Sequence, residues 1–165
     1  MIVDVLIFVF HDTISDNVKL LKIKRLKPDA VLPCKANTNA AGYDLCSNED
    51  ITLSAKKRAI IGTSLAIELP PNTYGRIAGR SGLAFNFGVF CFNGILDSDY
   101  QSEVKLLMIT ESNVDFSIRK GDRVAQIIVQ SYENNIEIQE VGELRKKSER
   151  GKGGFGSTGI RPLKK

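Results

Sequence analysis

The chain has 165 residues, 42% hydrophobic and 25% charged, which suits one globular domain around a single core. A formal net charge of +4 is too small to argue for nucleic-acid binding, yet it suits an anionic small molecule. Three scattered cysteines (Cys34, Cys46, Cys91) and a single histidine (His11) give no disulfide framework and no zinc set, and point to a reducing intracellular compartment, cytoplasmic or nuclear.

The first ten residues are apolar except for Asp4. They are too short to span a bilayer and lack the basic start of a signal peptide, so the segment predicts a strand over Ile2–Phe10 and no membrane partner. Further short apolar runs predict strands over Val18–Leu26, Ile51–Leu53, Ala59–Leu69, Tyr74–Ala78, Val104–Thr110, Val114–Ile118, Arg123–Gln130 and Ile136–Glu140. Pro70-Pro71-Asn72 and Lys120-Gly121-Asp122 punctuate them. Close spacing without amphipathic helical stretches predicts an all-β barrel or sandwich, with one helical turn near Ser81–Phe85. Beyond Leu144 the bases Arg145, Lys146, Lys147, Arg150, Lys152, Arg161, Lys164 and Lys165 face one acid, Glu149. Five glycines from Gly151 to Gly159 keep this tail from holding a strand. It reads first as a solvated basic tail, though a segment that visits a polyphosphate would carry the same charges and composition does not choose.

The lone His11 stands apart from every other polar cluster, so a hydrolase here needs a carboxylate as its base. Arg80-Ser81-Gly82 follows a strand and opens a tight turn flanked by Gly79. It is either a polar turn with a capping serine or a phosphate-binding turn, in which a guanidinium fork, a hydroxyl and backbone amides all donate. Gly94–Tyr100 carries Asp97 and Asp99. It reads as a hairpin with Asx turns, or as a carboxylate held beside a pocket to take a proton from water. A calcium loop fails for want of a closing Glu. Gly151–Gly156 fits the spacing of a dinucleotide loop, but it stands too near the end of the sequence to open a βαβ unit. It reads better as a lid: cations for phosphate, Phe155 for a base, and glycines that let the backbone wrap.

Together the segments resemble the trimeric deoxyuridine triphosphatase (dUTPase) family, whose five motifs occur in order. Ala41–Ser47 is similar to the first, Tyr74–Ala84 to the second, Asn93–Val104 to the third, Gly121–Gln126 to the fourth and Arg150–Gly159 to the fifth. The resemblance implies a jelly-roll-like β-barrel over residues 1–148 and a mobile C-terminal lid over 149–165. It implies a homotrimer with shared active sites that hydrolyses dUTP to dUMP and pyrophosphate, keeping uracil out of DNA and supplying dUMP for dTMP synthesis. By the same resemblance Asp97 is the general base. Arg80, Ser81 and Gly82 bind the phosphate chain, and Gln126 holds the attacking water or a phosphate oxygen. Tyr100 packs under the deoxyribose, while backbone at Cys91, Gly94, Ile95 and Leu96 reads uracil. Lys105 is a further ligand contact. Arg150, Phe155 and Gly156 arrive with the lid. Magnesium is held by phosphates and water with no direct protein ligand, and Asp44 supports either its bound waters or the architecture of the site.

Three positions depart from the family pattern. Gly79 replaces a proline and is expected to loosen the turn before Arg80. Ser102 replaces a glycine, a strain of about 1 kcal/mol if that backbone needs positive φ. Phe90–Asn93 replaces a smaller, glycine-rich segment. A dCTP deaminase shares the implied fold, but Asp97-Ser98-Asp99-Tyr100 and Phe155-Gly156-Ser157-Thr158 speak for the dUTPase. A non-catalytic, regulatory use of the same pocket is the second alternative.

Overall fold

The computed structural model describes residues 18–92 and 94–144. The strand expected over Ile2–Phe10 and the lid residues Arg150, Phe155 and Gly156 lie outside them. The described chain is all-β apart from one short helix.

Strand alternation builds the core. In β6 (Thr73–Ala78) Thr73, Gly75 and Ile77 point inward, while Tyr74, Arg76 and Ala78 point outward. In β9 (Lys105–Thr110) Leu106 and Met108 are fully buried, whereas Lys105 and Leu107 are exposed. The inward residues join Leu45, Leu53, Ile61, Leu65, Ile67, Val89, Leu96, Ile118 and Ile127 in one cluster fed by every sheet.

Among the described residues four sheets surround that cluster. β1 (Lys22–Arg25) pairs with β5 (Leu65–Glu68), and β3 (Ile51–Leu53) with β10 (Phe116–Ile118). β4 (Arg58–Gly62), β9 and β7 (Val89–Cys91) form a third sheet. β2 (Tyr43–Cys46), β11 (Arg123–Ser131), β6 and β8 (Gly94–Leu96) form the fourth and largest. All of the pairings are antiparallel.

The single strand expected over Ala59–Leu69 is two strands in different sheets. Thr63 and Ser64 break it. Ser64 takes a left-handed φ of 52°, and its amide donates to Glu103 Oε1 at 2.8 Å. Thr63 Oγ1 donates to the carbonyl of Val104 at 2.7 Å. These side-chain bonds satisfy groups that a continuing ladder would have used. β2 was not expected as a strand, because Asp44, Leu45 and Cys46 are buried in succession and show no alternation of apolar and polar residues. The segment from Val89 to Leu96 is not a simple hairpin either: β7 joins β9, and β8 joins β6. The expected strand over Ile136–Glu140 is absent. Ile136 is 73% and Ile138 100% exposed, and no ladder takes them up among the described residues.

Residues 1–134 and 135–165 separate into two units, and the site geometry described below lies in the first. Among the described residues no helix is long and apolar enough to cross a membrane.

Candidate active site

The outward face of the four-stranded sheet carries two polar groupings, one at each end of β6. At its C-terminal end the chain turns through Gly79 and Arg80 into α1 (Ser81–Phe87), a helical turn close to the one expected. Ser81 and Gly82 precede the first helical bond, made by the amide of Ala84 to the carbonyl of Arg80 at 3.1 Å, so their own amides have no partner within the helix. Both residues are exposed.

Asp44 lies beside this turn. It sits on β2 across from Gln126 on β11, and Gln126 in turn is across from Ala78 on β6. Asp44 is 8% exposed, and both of its oxygens are engaged by arginines. Its Oδ2 takes Arg123 Nη1 at 3.0 Å, and its Oδ1 lies 3.5 Å from Arg80 Nε. Arg80 Nη1 also donates to the carbonyl of Arg123 at 2.6 Å. Gln126 Nε2 donates to the carbonyl of Gly79 at 3.0 Å. A Cβ at Gly42 would collide with Gln126 Oε1, so glycine there leaves room for that amide. Residues from the first, second and fourth motifs therefore form one cluster.

The third motif occupies the other end. Leu96 is opposite Gly75, and Gly94 opposite Ile77, so Asp97 follows at the level of Tyr74. The amide of Tyr100 donates to the carbonyl of Asp97 at 3.1 Å and closes the turn. Asp97, Ser98 and Asp99 line an open pocket with Tyr74, Ile95 and Tyr132. Tyr74 and Tyr132 meet edge to face with centroids 6.2 Å apart, and Tyr74 donates to Gln130 at 3.1 Å. Tyr100 opens into a neighbouring hollow formed with β1 and β5, and its hydroxyl donates to the carbonyl of Glu103 at 3.0 Å. Lys105 belongs to neither grouping: it lies exposed on β9 of another sheet, 4.0 Å from Glu103.

The two ends are far apart. From Tyr74 to Arg80 the chain advances six residues, roughly 20 Å of extended strand. Cys91 and β8 run along the interval. Position 79 closes tightly on Cys91, since a Cβ there would stand 3.3 Å from its backbone nitrogen. The Cys91 thiol is pushed up to about 11 by burial, so it stays protonated at neutral pH.

The family model described as dUTPase matches residues 29–159. The chain belongs to the dUTPase family. Deoxyuridine 5'-triphosphate nucleotidohydrolase of Saccharomyces cerevisiae is 44% identical over 141 residues, covering 86% of this chain and 95% of the yeast protein. The protein of that name from Paramecium bursaria Chlorella virus 1 is 42% identical over 140 residues, 85% of this chain and 98% of the viral one. Among solved structures, Staphylococcus bacteriophage 80alpha dUTPase with dUPNHPP has a TM-score of 0.81 at 26% identity, covering 86% of this chain and 99% of the phage chain. A phage phi11 dUTPase, studied for its coordination of a structural Mg(II) ion, shares the fold at 21% identity and a TM-score of 0.71.

Two departures from the dUTPase pattern have structural answers. Ser102 carries no strain: among the described residues, the non-glycines at positive φ are Lys56, Ser64 and Asn72. The looseness expected at Gly79 is offset by the Gln126 bond to its carbonyl and by its close approach to Cys91. The third departure leaves exposed rings, with Phe90 38% and Phe92 62% exposed. Sequence reasoning missed Arg123, and also Tyr74 and Tyr132 beside Asp97. Arg123 was inside a recognised motif, but strand alternation alone would have turned it away from Gln126.

Proposed function

We propose that this dUTPase hydrolyses dUTP to dUMP and pyrophosphate at sites that each combine the Asp97 end of one subunit with the Arg80 end of another, in a homotrimer. The activity follows from family membership. The separation along β6 carries the sharing. A general base one water away from the α-phosphorus, and a guanidinium bonded to the same phosphate chain, must lie within about 10 Å of each other. In one chain the backbone between their levels spans the length of β6, up to roughly 20 Å if fully extended. A second copy, with its Arg80 end laid against the first copy's Asp97 pocket, closes the gap. The exposed apolar residues Ile95, Ile60, Leu107 and Phe92 support burial against such copies. The four antiparallel sheets around one core support the jelly-roll reading of the fold.

In this reading Asp97 takes a proton from water as the water oxygen attacks the α-phosphorus. The bond from that phosphorus to the bridging oxygen breaks in line, and pyrophosphate leaves. Arg80, with the amides of Ser81 and Gly82, holds the phosphate chain, and the Ser81 hydroxyl donates toward the bridging oxygen as charge develops there. Gln126 braces the Gly79 carbonyl and so fixes the turn. Backbone at Cys91 and Gly94–Leu96 reads uracil, and Tyr100 packs against deoxyribose. Lys105 remains a proposed further contact, and a site reached from a neighbouring subunit would use its exposure. The segment 149–165 acts as the lid, with Arg150 on phosphate and Phe155 with Gly156 on the base; it forms one functional part and residues 1–148 the other.

Among the described residues no three His, Cys, Asp or Glu side chains stand together as a metal cage. Hard phosphate oxygens and waters suit magnesium well, so the ion belongs with the substrate, where it neutralises charge on the triphosphate. Asp44 has its carboxylate engaged by two arginines, which leaves it less suited to water-bound magnesium than its motif suggested.

A panel of deoxynucleoside triphosphates, with and without magnesium, tests the proposal. Pyrophosphate release from dUTP, greatly slowed by EDTA, is the expected result. Release of ammonia from dCTP instead would assign the deaminase reaction.

A further inference from the structure

We infer that Asp44 and Arg123 are a positioning pair that aims Arg80 at the substrate's phosphates. The inference rests on the proposed function of that site.

A bulge in β11 places Arg123. Arg123 and Gln126 are three residues apart, so on a regular strand their side chains would leave opposite faces. The β11 ladder with β2 shifts register between Arg123 and Ala125, and there the consecutive residues Val124 and Ala125 are both buried in the core. The shift turns Arg123 onto the face that bears Asp44 and Gln126. Its guanidinium then reaches Asp44 at 3.0 Å, and its carbonyl is placed for Arg80 Nη1 at 2.6 Å.

The result is one carboxylate between two guanidiniums. Without Asp44, two cations would be held side by side with no counter-charge. With it, Arg80 is tied at Nε and Nη1, and its Nη2 has no protein partner among the described residues. The grouping keeps one net positive charge. A guanidinium held at two points loses little further freedom when it binds an anion. Arg123 therefore works through its backbone carbonyl and through Asp44, and need not touch substrate itself.

Binding of a non-hydrolysable dUTP analogue and of deoxyuridine, which lacks phosphates, tests the pair in the intact protein. Asp44→Asn, Arg123→Lys and Arg80→Ala are compared singly, and the first two also in the Arg80→Ala background. Arg123→Lys keeps the charge and is the milder change should Asp44→Asn fold poorly. Each single variant should weaken analogue binding about tenfold, roughly the value of one charge-assisted hydrogen bond, and leave deoxyuridine binding within about twofold, since that ligand has no phosphate for Arg80 to meet. In the Arg80→Ala background both added substitutions should lose their effect. Equal losses for the two ligands, or full additivity with Arg80→Ala, would overturn the pair while leaving the enzyme reading intact. Wild-type protein that fails to bind the analogue would sink both.

Discussion

In the proposed mechanism Asp97 is the residue on which turnover depends most. Asp97→Asn should still bind a dUTP analogue while turnover falls about 10²–10⁴-fold, the range for a general base. Single-turnover kinetics beside equilibrium binding measure this, and comparable rates for the two proteins would remove Asp97 from its role. Cys91 makes a different prediction. Burial raises its thiol from 9.0 to about 11, so the folded state favours the protonated form. That contribution to stability is fully present below pH 9 and is lost as pH rises through 11. Denaturation midpoints at pH 8 and pH 10.5 should show the loss in wild type and less of it in Cys91→Ala; parallel losses would contradict the burial argument. From the residues alone Asp97, Arg80 and Ser81 were legible only as one of two readings each, a polar turn or hairpin against a ligand site, and the resemblance supplied their proposed roles. The proposed role of Arg123 was not legible, because it depends on a bulge that no side-chain pattern announces.

At the scale of elements, the short antiparallel strands followed from apolar runs and turn residues, and Ile51–Leu53 has the limits expected. Errors came where side chains compete with the ladder, as at Thr63 and Ser64, or where a strand buries consecutive residues with a charged one among them, as at Tyr43–Cys46. The assignment of β7 and β8 to different sheets was also illegible, since local sequence does not name a strand's partner. Gly42 couples two such elements. A Cβ there meets the end of Gln126, a flexible side chain that can swing away from the Gly79 carbonyl. Gly42→Ala should therefore fold, lose about 1 kcal/mol of stability for the hydrogen bond, and raise KM for dUTP more than it lowers kcat. An unchanged KM would show that Gln126 does not brace the turn.

The proposed trimer rests on resemblance, since no residue pattern in one chain states a threefold axis. The proposed sharing of sites has a physical argument of its own: Asp97 and Arg80 lie toward opposite ends of β6. Truncation before Glu149 should abolish most hydrolysis and leave the assembly intact by light scattering; a fully active truncated protein would rule out the lid. The most direct test of the shared site mixes two inactive proteins, Asp97→Asn and Arg80→Ala. If each site draws Asp97 and Arg80 from different subunits, randomly co-assembled trimers from an equal mixture should have about a quarter of their sites intact. Hydrolysis of dUTP should return to about that fraction of the wild-type rate after co-refolding, while either variant refolded alone stays inactive. No recovery in a mixture shown to contain hybrid trimers would mean that both residues act from the same chain, and the account would be wrong.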